Sequence, residues 1–304
     1  MSDPLNTTRR RRIWIDTDPA ITSGNGEVDD GFALLQALHS PEFDIVGISA
    51  VFGNTDIENT FHMAQEIVRR AGRTDIPVYK GHGTEGQKGR NPATEAMLAA
   101  LTSGPLTIVA LGPLSNVASA LSRPGANLSN VEEVVFVGGR RVGLQFRATP
   151  DQETPFRDLN FELDPQAGVD LLKFGVPVTL AGWEVSSKMW LTNEHLETLR
   201  TDGNETVCWL AKKSRDWHDN WVKNFKAPGF TPFDTLAVGW LLCPDLFEAL
   251  HWPAEIRVTP ERPFFEADPK FGGAPVTYLK NVDNERFRDD LMARLLNGAT
   301  GQTD

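Results

Sequence analysis

The stretch Ile13-Trp14-Ile15-Asp16-Thr17-Asp18-Pro19 joins an apolar strand pattern to two carboxylates, and a second acidic pair, Asp29-Asp30, follows shortly afterwards. The second pair directly precedes the apolar run that begins at Phe32, which predicts the start of a helix. Four neighbouring carboxylates repel one another unless a cation lies among them, and hard oxygen ligands suit calcium or magnesium better than zinc. In an open α/β sheet, ligands bind at the carboxyl ends of the strands, where this cluster falls. An acidic, solvated loop is the alternative, and we rank it lower because both pairs adjoin buried-type segments.

Length and composition are those of an ordinary globular protein. The chain has 304 residues, of which 40% are hydrophobic and 23% charged, and its net charge of −11 argues against a nucleic-acid partner. We expect residues 1–12 to form a flexible N-terminal tail, in which the basic cluster 9–12 is a solvated flank, and residues 13–304 to form one domain.

Cysteine usage and hydropathy point to the cytoplasm. Cys208 and Cys243 lie in apolar helical patterns and read as small buried side chains without a disulfide. No apolar stretch approaches the ~20 residues of a transmembrane helix, and the N-terminus lacks a signal-peptide core. We therefore expect a cytoplasmic protein that does not contact membranes.

Strand patterns alternate with helical patterns along the chain. Strands are predicted at 13–17, 44–51, 76–79, 106–111, 131–137 and 176–180, with two later strand-like segments at 256–259 and 276–279. Helices are predicted at 30–39, 55–71, 92–101, 114–121, 165–174, 193–221, 233–242 and 283–297. This alternation predicts an α/β fold: a single domain with a mostly parallel central sheet and helices on both faces.

Polar or glycine-rich segments follow several of the predicted strands or open helices. They are Phe52-Gly53-Asn54-Thr55, the run 109–116, Gly138-Gly139, the run 158–165, and Phe233-Asp234. Each has an ordinary structural interpretation: Asn54 could cap a helix, Asp164-Pro165 is a typical helix start, and Asp234 could be a first-turn acid. Their order on one alternating framework favours a functional interpretation.

Together these segments resemble the inosine-uridine-preferring nucleoside hydrolase family over nearly the whole chain. The family signature Asp-x-Asp-Pro-Gly-x-Asp-Asp corresponds to Asp16-Thr17-Asp18-Pro19-Ala20 and, after an interruption, Asp29-Asp30. The other matching motifs are Gly53-Asn54, Gly112 to Asn116, Val137-Gly138-Gly139, Asp158-Leu159-Asn160 and Phe233-Asp234. The combination is specific, whereas each single piece is weak.

The resemblance implies the nucleoside hydrolase fold and Ca²⁺-dependent hydrolysis of the N-glycosidic bond of ribonucleosides, in purine or pyrimidine salvage. The implied Ca²⁺ ligands are Asp18, Asp30, the backbone carbonyl of Leu111, and Asp234. Ribose hydroxyls or the attacking water would be held by Asp29, Asn54, Asp158 and Asn160. With the metal positioning the water, Asp18 is the candidate to take its proton, and Asn54 would assist catalysis. A carboxylate-rich site also suits the positive charge that develops on the ribose ring. Asp16 would play a supporting role, and a homodimer or homotetramer is expected.

Three departures from the family pattern bear on the base. Residues 21–28 interrupt the signature, as a flap over the site or as a harmless insertion. Phe233 replaces the histidine that other members place near the leaving base, so Trp217 and His218 become candidates for contacting it. Core packing is the alternative for the tryptophans, and an exposed helix position for His218. The segment 81–101 is short and lacks the family's histidine-containing stretch.

Two alternative functions stay open at this point. A haloacid-dehalogenase-like phosphatase also ends a strand in Asp-x-Asp and would use Asp16 as its nucleophile. A catalytically weak protein of the same fold could bind nucleoside or ribose without efficient turnover, given Phe233 and the altered signature.

Overall fold

The computed structural model describes residues 10–298, so most of the predicted N-terminal tail, including residues 1–9, lies outside the described residues. The prediction that the tail extends to residue 12 is wrong at its end. Arg11 and Arg12 already belong to the first strand, because they pair with Phe43 and Asp44 of the neighbouring strand.

The described residues form twelve strands. They are β1 (Arg11–Thr17), β2 (Phe43–Ala50), β3 (Val78–Lys80), β4 (Leu106–Ala110), β5 (Val131–Phe136), β6 (Arg140–Arg141), β7 (Val178–Leu180), β8 (Leu191–Thr192), β9 (Gly229–Phe230), β10 (Phe247–Val258), β11 (Pro263–Ala267) and β12 (Pro275–Val282).

Twelve α-helices occur in the same range. They are α1 (Asp29–Leu38), α2 (Ile57–Arg70), α3 (Pro92–Thr102), α4 (Ser115–Leu121), α5 (Leu159–Glu162), α6 (Pro165–Lys173), α7 (Trp183–Ser186), α8 (Asn193–Asp202), α9 (Glu205–Lys213), α10 (Arg215–Phe225), α11 (Thr235–Leu242) and α12 (Asn284–Asn297). Single 3₁₀ turns lie at Leu128–Asn130 and Pro244–Leu246.

Ten strands make the main sheet, in the order β3-β2-β1-β4-β5-β7-β12-β10-β11-β6. All pairs from β3 to β12 are parallel, and β10 is antiparallel to both of its neighbours. The chain runs from β1 outward to β2 and β3, and β4 then lies on the other side of β1. This reversal of strand order opens a crevice at the carboxyl ends of β1 and β4, where open α/β sheets bind their ligands.

The sheet separates two hydrophobic cores, because successive side chains of a strand point to opposite faces. In β1, Ile13 and Ile15 pack into one core with helices α1, α2 and α8 to α12, whereas Trp14 packs into the other with α3 to α6. Strands buried on both faces explain the near-continuous apolar runs of the sequence. The predicted α/β class, with a mostly parallel sheet and helices on both faces, is confirmed.

The predicted elements differ from the structure mainly in the last third of the chain. The helical pattern at 193–221 is three helices, α8 to α10, because Gly203-Asn204 and Ser214 end two of them. The two late strand-like segments are parts of the longer β10 and β12, and β11 was missed. Within residues 10–298 no helix combines the length and apolar character needed to cross a bilayer.

Replacing Gly239 by alanine is expected to destabilise the protein by about 1–3 kcal/mol, the usual effect of overfilling a packed core. A Cβ atom on this α11 glycine would lie 2.0 Å from the Phe287 ring of α12, which is fully buried, so the ring or the helix would have to shift. Urea unfolding measures the change. Gly272→Ala is the matched control, since its Cβ would meet nothing within 4 Å; equal stability of the two variants would contradict the packing argument.

Candidate active site

The polar segments that follow β1, β2 and β4 meet at the crevice because the sheet ladder continues past the strand ends. The backbone N–H of Leu111 donates to the carbonyl of Asp16 at 2.7 Å, and the N–H of Val51 donates to the carbonyl of Thr17 at 3.0 Å. Asp18 therefore leaves β1 between the loop after β2 and the loop after β4.

Four buried carboxylates gather at this point, and we call Asp18, Asp29, Asp30 and Asp234 the acidic cluster. Oxygen atoms of Asp29, Asp30 and Asp234 lie within 4.8 Å of one another. All four side chains are at most 3% exposed. Asp29 and Asp30 come from the first turn of α1, and Asp234 directly precedes α11.

Two glycines let the backbone approach the carboxylate of Asp18. A Cβ atom at Gly53 would lie 1.8 Å from Asp18 Oδ2, and one at Gly112 would lie 2.7 Å from Asp18 Oδ1. The backbone N–H of Asn54 donates to Asp18 Oδ2 at 2.8 Å. Among the described residues, no group donates to Asp18 Oδ1 or to Asp29 Oδ1, although both atoms are buried.

Asp30 and Asp234 are held in different ways. Asp30 Oδ1 accepts hydrogen bonds from the Thr17 hydroxyl and from the backbone N–H of Asp18, the latter at 3.0 Å. The amide Nδ2 of Asn54 lies 3.4 Å from Asp30 Oδ2. Asp234 occupies the N-cap position of α11 but its side chain makes no capping hydrogen bond. The Asp234 side chain therefore does not cap the helix, and its carboxylate lies with those of Asp29 and Asp30.

Burial and mutual repulsion shift the titration of the cluster. Burial first, and the neighbouring carboxylates next, raise the pKa values of Asp18, Asp29 and Asp234 well above the usual range. The hydrogen bonds that Asp30 accepts oppose the effect of burial on its pKa. A buried group of like charges such as this one is stabilised either by protons or by a cation.

Asp16 lies behind the cluster and supports it. Its Oδ1 accepts hydrogen bonds from the Ser49 hydroxyl and from Asn116 Nδ2, the latter at 2.8 Å. Burial raises the pKa of Asp16 to about 7. Unlike Asp18, it is not among the carboxylates that raise the pKa values of Asp29 and Asp234, so it faces away from the cleft. Its Oδ1 is also held by Ser49 and Asn116, so Asp16 is not placed to attack a phosphate and the phosphatase alternative does not fit.

A cleft of about 570 Å³, counted with its open mouth, begins at the cluster. Its polar side is lined by Glu27, Asp29, Asn54, Leu111, Asp158, Asn160 and Asp234. Asp18 and Asp30 lie beneath this lining. The structure therefore brings together nine of the predicted site residues, if Phe233 on the opposite side is included.

Asp158 and Asn160 are fixed by the loops after β4 and β5. Asn160 Nδ2 donates to the carbonyls of Leu111 at 2.6 Å and Val137 at 3.1 Å. Its Oδ1 is thus the atom that can accept a hydrogen bond from a ligand. The N–H of Gly139 donates to Asp158 Oδ2 at 2.7 Å, while burial raises the pKa of Asp158 to about 7.

The opposite side of the cleft is an aromatic wall formed by Phe146, Phe156, Trp183 and Phe233. Phe146 stacks on Trp183 with ring centroids 5.6 Å apart, and Phe233 lies 5.4 Å from the same tryptophan. Phe146 and Phe156 face each other across an isolated antiparallel bridge in the loop after β6. No histidine of the described chain lines the cleft.

Trp217 and His218 are not brought to the cleft. Trp217 packs against Trp221 at 6.2 Å, behind the aromatic wall. His218 is buried and its Nδ1 lies 2.9 Å from Asp219 Oδ1, so it is not the exposed helix residue that was the alternative. Both residues come from α10, whose inner face supports the wall through Trp221.

Sequence reasoning missed several lining side chains, among them Phe146, Phe156 and Glu27. Phe146 and Phe156 lie in an irregular loop without a strand end or motif to mark them. Glu27 lies in the segment that interrupts the family signature, and its acidic character two positions before Asp29 was the available signal. Trp183 is one of the tryptophans for which core packing was the alternative interpretation; its side chain packs in the core, at 5% exposure, and also lines the cleft.

The donor set fits a hard divalent cation. It offers several carboxylate oxygens, two of them buried without a hydrogen-bond donor, beside the backbone carbonyl of Leu111. Cations with oxygen ligands, such as calcium and magnesium, are bound by such groups. No thiol or imidazole lies among the cleft-lining residues described, as a zinc site would require.

Comparison with known proteins agrees with this geometry. The profile of the inosine-uridine preferring nucleoside hydrolase family matches residues 13–289. The chain belongs to this family. The pyrimidine-specific ribonucleoside hydrolase RihA of Photobacterium profundum is 30% identical over 274 residues, 79% of this chain and 83% of that relative. The non-specific ribonucleoside hydrolase RihC of Klebsiella pneumoniae is 27% identical, over 78% of this chain and 81% of the relative.

Solved structures show the same fold. The purine-preferring ribonucleoside hydrolase from Gardnerella vaginalis has a TM-score of 0.83 at 22% identity, covering 95% of this chain and 99% of that one. Family membership makes this protein a ribonucleoside hydrolase, an enzyme that cleaves N-glycosidic bonds, and the family is metal-dependent.

Without metal, the acidic cluster should make the protein less stable as the pH rises. The folded state raises the pKa values of Asp18, Asp29 and Asp234, so it binds more protons than the unfolded chain. The stability contributed by these groups is complete below their unfolded pKa of about 4 and is lost as the pH rises through their folded pKa values. Removing one charge at neutral pH should therefore stabilise the metal-free protein.

Thermal unfolding in EDTA tests this expectation with Asp234→Asn. At pH 7 the melting temperature of the variant should exceed that of the wild type by about 2 °C, which corresponds to roughly 1 kcal/mol in the free energy of unfolding. The difference should vanish near pH 4. Added calcium should reverse the order. Asp245→Asn, at an exposed acid outside the cleft, is the control. An unchanged or lower melting temperature for Asp234→Asn in EDTA at pH 7 would refute the repulsion.

Proposed function

We propose that this protein hydrolyses the N-glycosidic bond of ribonucleosides to ribose and free base with Ca²⁺ as its cofactor. The observation that supports this most is one cleft with a buried acidic cluster at one end and an aromatic wall at the other. The cluster suits a cation and a sugar diol, and the wall suits a planar base.

We assign the Ca²⁺ ligands to Asp18, Asp30, Asp234 and the backbone carbonyl of Leu111. Calcium accepts six to eight oxygen ligands in irregular arrangements, which suits donors that come from a strand end, two helix starts and a loop. When bound, the cation would offset the charge of the cluster, bind the sugar diol and make water easier to deprotonate.

We assign to Asp18 Oδ1 the role of accepting the proton of the attacking water. Asp18 Oδ2 already accepts the N–H of Asn54, whereas Oδ1 accepts no hydrogen bond from the described residues. Burial raises the pKa of this carboxyl group in the metal-free protein, and the cation would lower it again, so that the base is ionised when the cofactor is present.

We assign binding of the ribose hydroxyl groups to Asn54, Asp29, Asp158 and Asn160. All four line the cleft. Oxygen atoms of Asp29, Asp158 and Asn160 can accept hydrogen bonds from sugar hydroxyls, whereas Asn54, whose Oδ1 already accepts from Asn25, can donate one through its Nδ2. The negative charges of Asp29 and Asp158 also favour the positive charge that builds on the ribose ring as the bond to the base breaks.

We propose that aromatic stacking, rather than proton donation by a histidine, assists the departure of the nucleobase. Phe233 stands where the resemblance to the family implies a histidine, and Trp183, which also lines the cleft, lies beside it with ring centroids 5.4 Å apart. Stacking of a purine on an indole ring raises the basicity of the base, so that solvent can protonate it as it leaves. A dimeric or tetrameric assembly remains a prediction from the resemblance, and a cytoplasmic location remains a prediction from the sequence pattern.

Ribose release is the direct test of the proposed reaction. Inosine, guanosine, adenosine, uridine and cytidine are incubated with the protein in calcium, in magnesium and in EDTA, and reducing sugar is measured. Calcium-dependent release is expected, and Asp18→Asn should lower the rate by about 10²–10⁴-fold because it removes the general base. Asp245→Asn serves as the control, and circular dichroism verifies that each variant is folded.

Two outcomes would contradict the proposal in different ways. Full activity of Asp18→Asn would contradict the assignment of Asp18 as the general base. Calorimetric binding of a nucleoside with no turnover in a long assay would favour the binding-only alternative.

The role of the aromatic wall predicts a selective effect of Trp183→Ala. Loss of one base-stacking contact typically corresponds to roughly 1–3 kcal/mol, so kcat/KM for inosine should fall by about 5–150-fold, and less for the smaller uridine. Trp183→Phe should retain most of the activity. Trp190→Phe, which lies outside the cleft lining, is the control. Equal losses for inosine and uridine would argue against stacking.

A further inference from the structure

The segment Ile21–Val28, which interrupts the signature of the family, is a folded part of the site, and we call it the extra loop. Its ends are anchored in the core, since Ile21 and Val28 are both fully buried. Two turns shape it: the N–H of Ser23 donates to the carbonyl of Ala20, and the N–H of Gly26 donates to that of Ser23, each at 2.8 Å. Only the tip of the loop is exposed to solvent.

The tip of the extra loop is fitted to Asn54. Asn25 Nδ2 donates to Asn54 Oδ1 at 2.8 Å, and the backbone N–H of Asn25 donates to the carbonyl of Asn54 at 3.3 Å. Gly24 has φ +53°, and a Cβ atom there would lie 2.2 Å from the same carbonyl oxygen. A left-handed backbone and a close approach both require glycine at this position.

These contacts determine which way the Asn54 amide points. Its Oδ1 is occupied by Asn25, so its Nδ2 faces Asp30 Oδ2 at 3.4 Å. Turning the amide over would place two NH₂ groups against each other on one side and two oxygen atoms on the other. Asn25 therefore holds Asn54, which lines the cleft, in the orientation that serves the acidic cluster.

The same asparagine also holds Glu27 at the cleft. Asn25 Nδ2 donates to Glu27 Oε2 at 3.1 Å, and the backbone N–H of Glu27 donates to Asn25 Oδ1 at 3.0 Å. The carboxyl group of Glu27 contacts that of Asp29 and lines the cleft beside Asp29 and Asn54. Glu27 is thus a fourth carboxyl group on the polar side, beside Asp29, Asp158 and Asp234, and none of the motif segments supplies it.

Resting on the proposed function, we propose that the extra loop completes the sugar side of the site: Glu27 binds a ribose hydroxyl, and Asn25 is a positioning residue that acts through Asn54. A carboxylate accepts hydrogen bonds from hydroxyl groups strongly and adds negative charge beside the sugar ring. The loop is then neither a flap nor a harmless insertion.

A double-mutant cycle tests the role of Asn25. Asn25→Ala should lower kcat/KM for the best nucleoside by about tenfold, since a misplaced site group commonly has an effect of this size or larger. In Asn54→Ala, the further change Asn25→Ala should have no added effect, because the residue it positions is gone. Ser23→Ala in the same loop is the control, as its side chain does not line the cleft. Effects of Asn25→Ala and Asn54→Ala that multiply would overturn the positioning role.

Glu27→Gln, which keeps the shape and removes the charge, tests the sugar contact. It should lower kcat/KM by about tenfold, the effect expected for one charge-assisted hydrogen bond, with unchanged Ca²⁺ affinity by calorimetry. The kcat/KM values of the wild type and Glu27→Gln are then compared for 2′-deoxy-, 3′-deoxy- and 5′-deoxyinosine. The two proteins should differ no longer for the one substrate that lacks the hydroxyl group contacted by Glu27. Wild-type kinetics in Glu27→Gln, or a loss confined to Ca²⁺ affinity, would overturn the assignment.

Binding of D-ribose to the calcium-loaded protein separates this inference from the proposed function. Asn25→Ala and Glu27→Gln should both weaken ribose binding relative to Ser23→Ala. If the wild type releases ribose from nucleosides, and the two variants bind ribose and hydrolyse nucleosides as well as the wild type, then the role of the extra loop is refuted and the proposed function stands. If the wild type neither releases nor binds ribose, both fail.

Discussion

The repulsion among the carboxylates at the end of β1 is the constraint on which the rest of this structure depends. Four aspartates, nearly removed from solvent, share a space in which three of them approach within 4.8 Å. In such an environment each negative charge raises the pKa of the others, and the site needs protons or a cation. The surrounding chain maintains this arrangement in two ways. Glycines leave room for the Asp18 carboxylate, and a hydroxyl group and a backbone N–H donate hydrogen bonds to Asp30 Oδ1. Buried polar groups without full partners are typical of sites that bind a ligand.

The topology of the sheet explains why the cluster forms here. β1 lies between β2 and β4, and the chain leaves it in opposite directions on the two sides. The loops after these three strands therefore diverge and leave room above the carboxyl end of β1. Asp29 and Asp234 enter that room from the starts of α1 and α11, where the dipole of each helix favours negative charge. The unfavourable assembly of charges is thus partly compensated by helix ends that the fold itself provides.

The sequence was sufficient to predict the fold and the carboxylates that gather in the acidic cluster, because both rest on local signals. Buried strands read as apolar runs, and the polar residues that follow them mark the crevice, as for Asp18, Asn54 and Asp234. The aromatic side gave no such signal: Phe146 and Phe156 meet across an irregular loop, and only tertiary packing brings them to Trp183. Trp217 and His218 were placed at the base by family order, but the turn of α10 directs Trp221 towards the wall instead. β11 was missed because its run Pro263–Ala267 is short and begins with proline.

This division of the cleft has a consequence for specificity. The groups assigned to the sugar and the cation lie on strand ends and helix starts, which packing on both faces of the sheet keeps rigid. The aromatic wall is built from a loop, the short helix α7 and the residue before Asp234, and these elements can change without disturbing the sheet. Phe233, at the position where the resemblance to the family implies a histidine, is an example, since its ring packs on Trp183 while the neighbouring Asp234 stays in the cluster. Within one fold, the choice of base can therefore vary independently of the chemistry at the ribose, because the two are held by different parts of the chain.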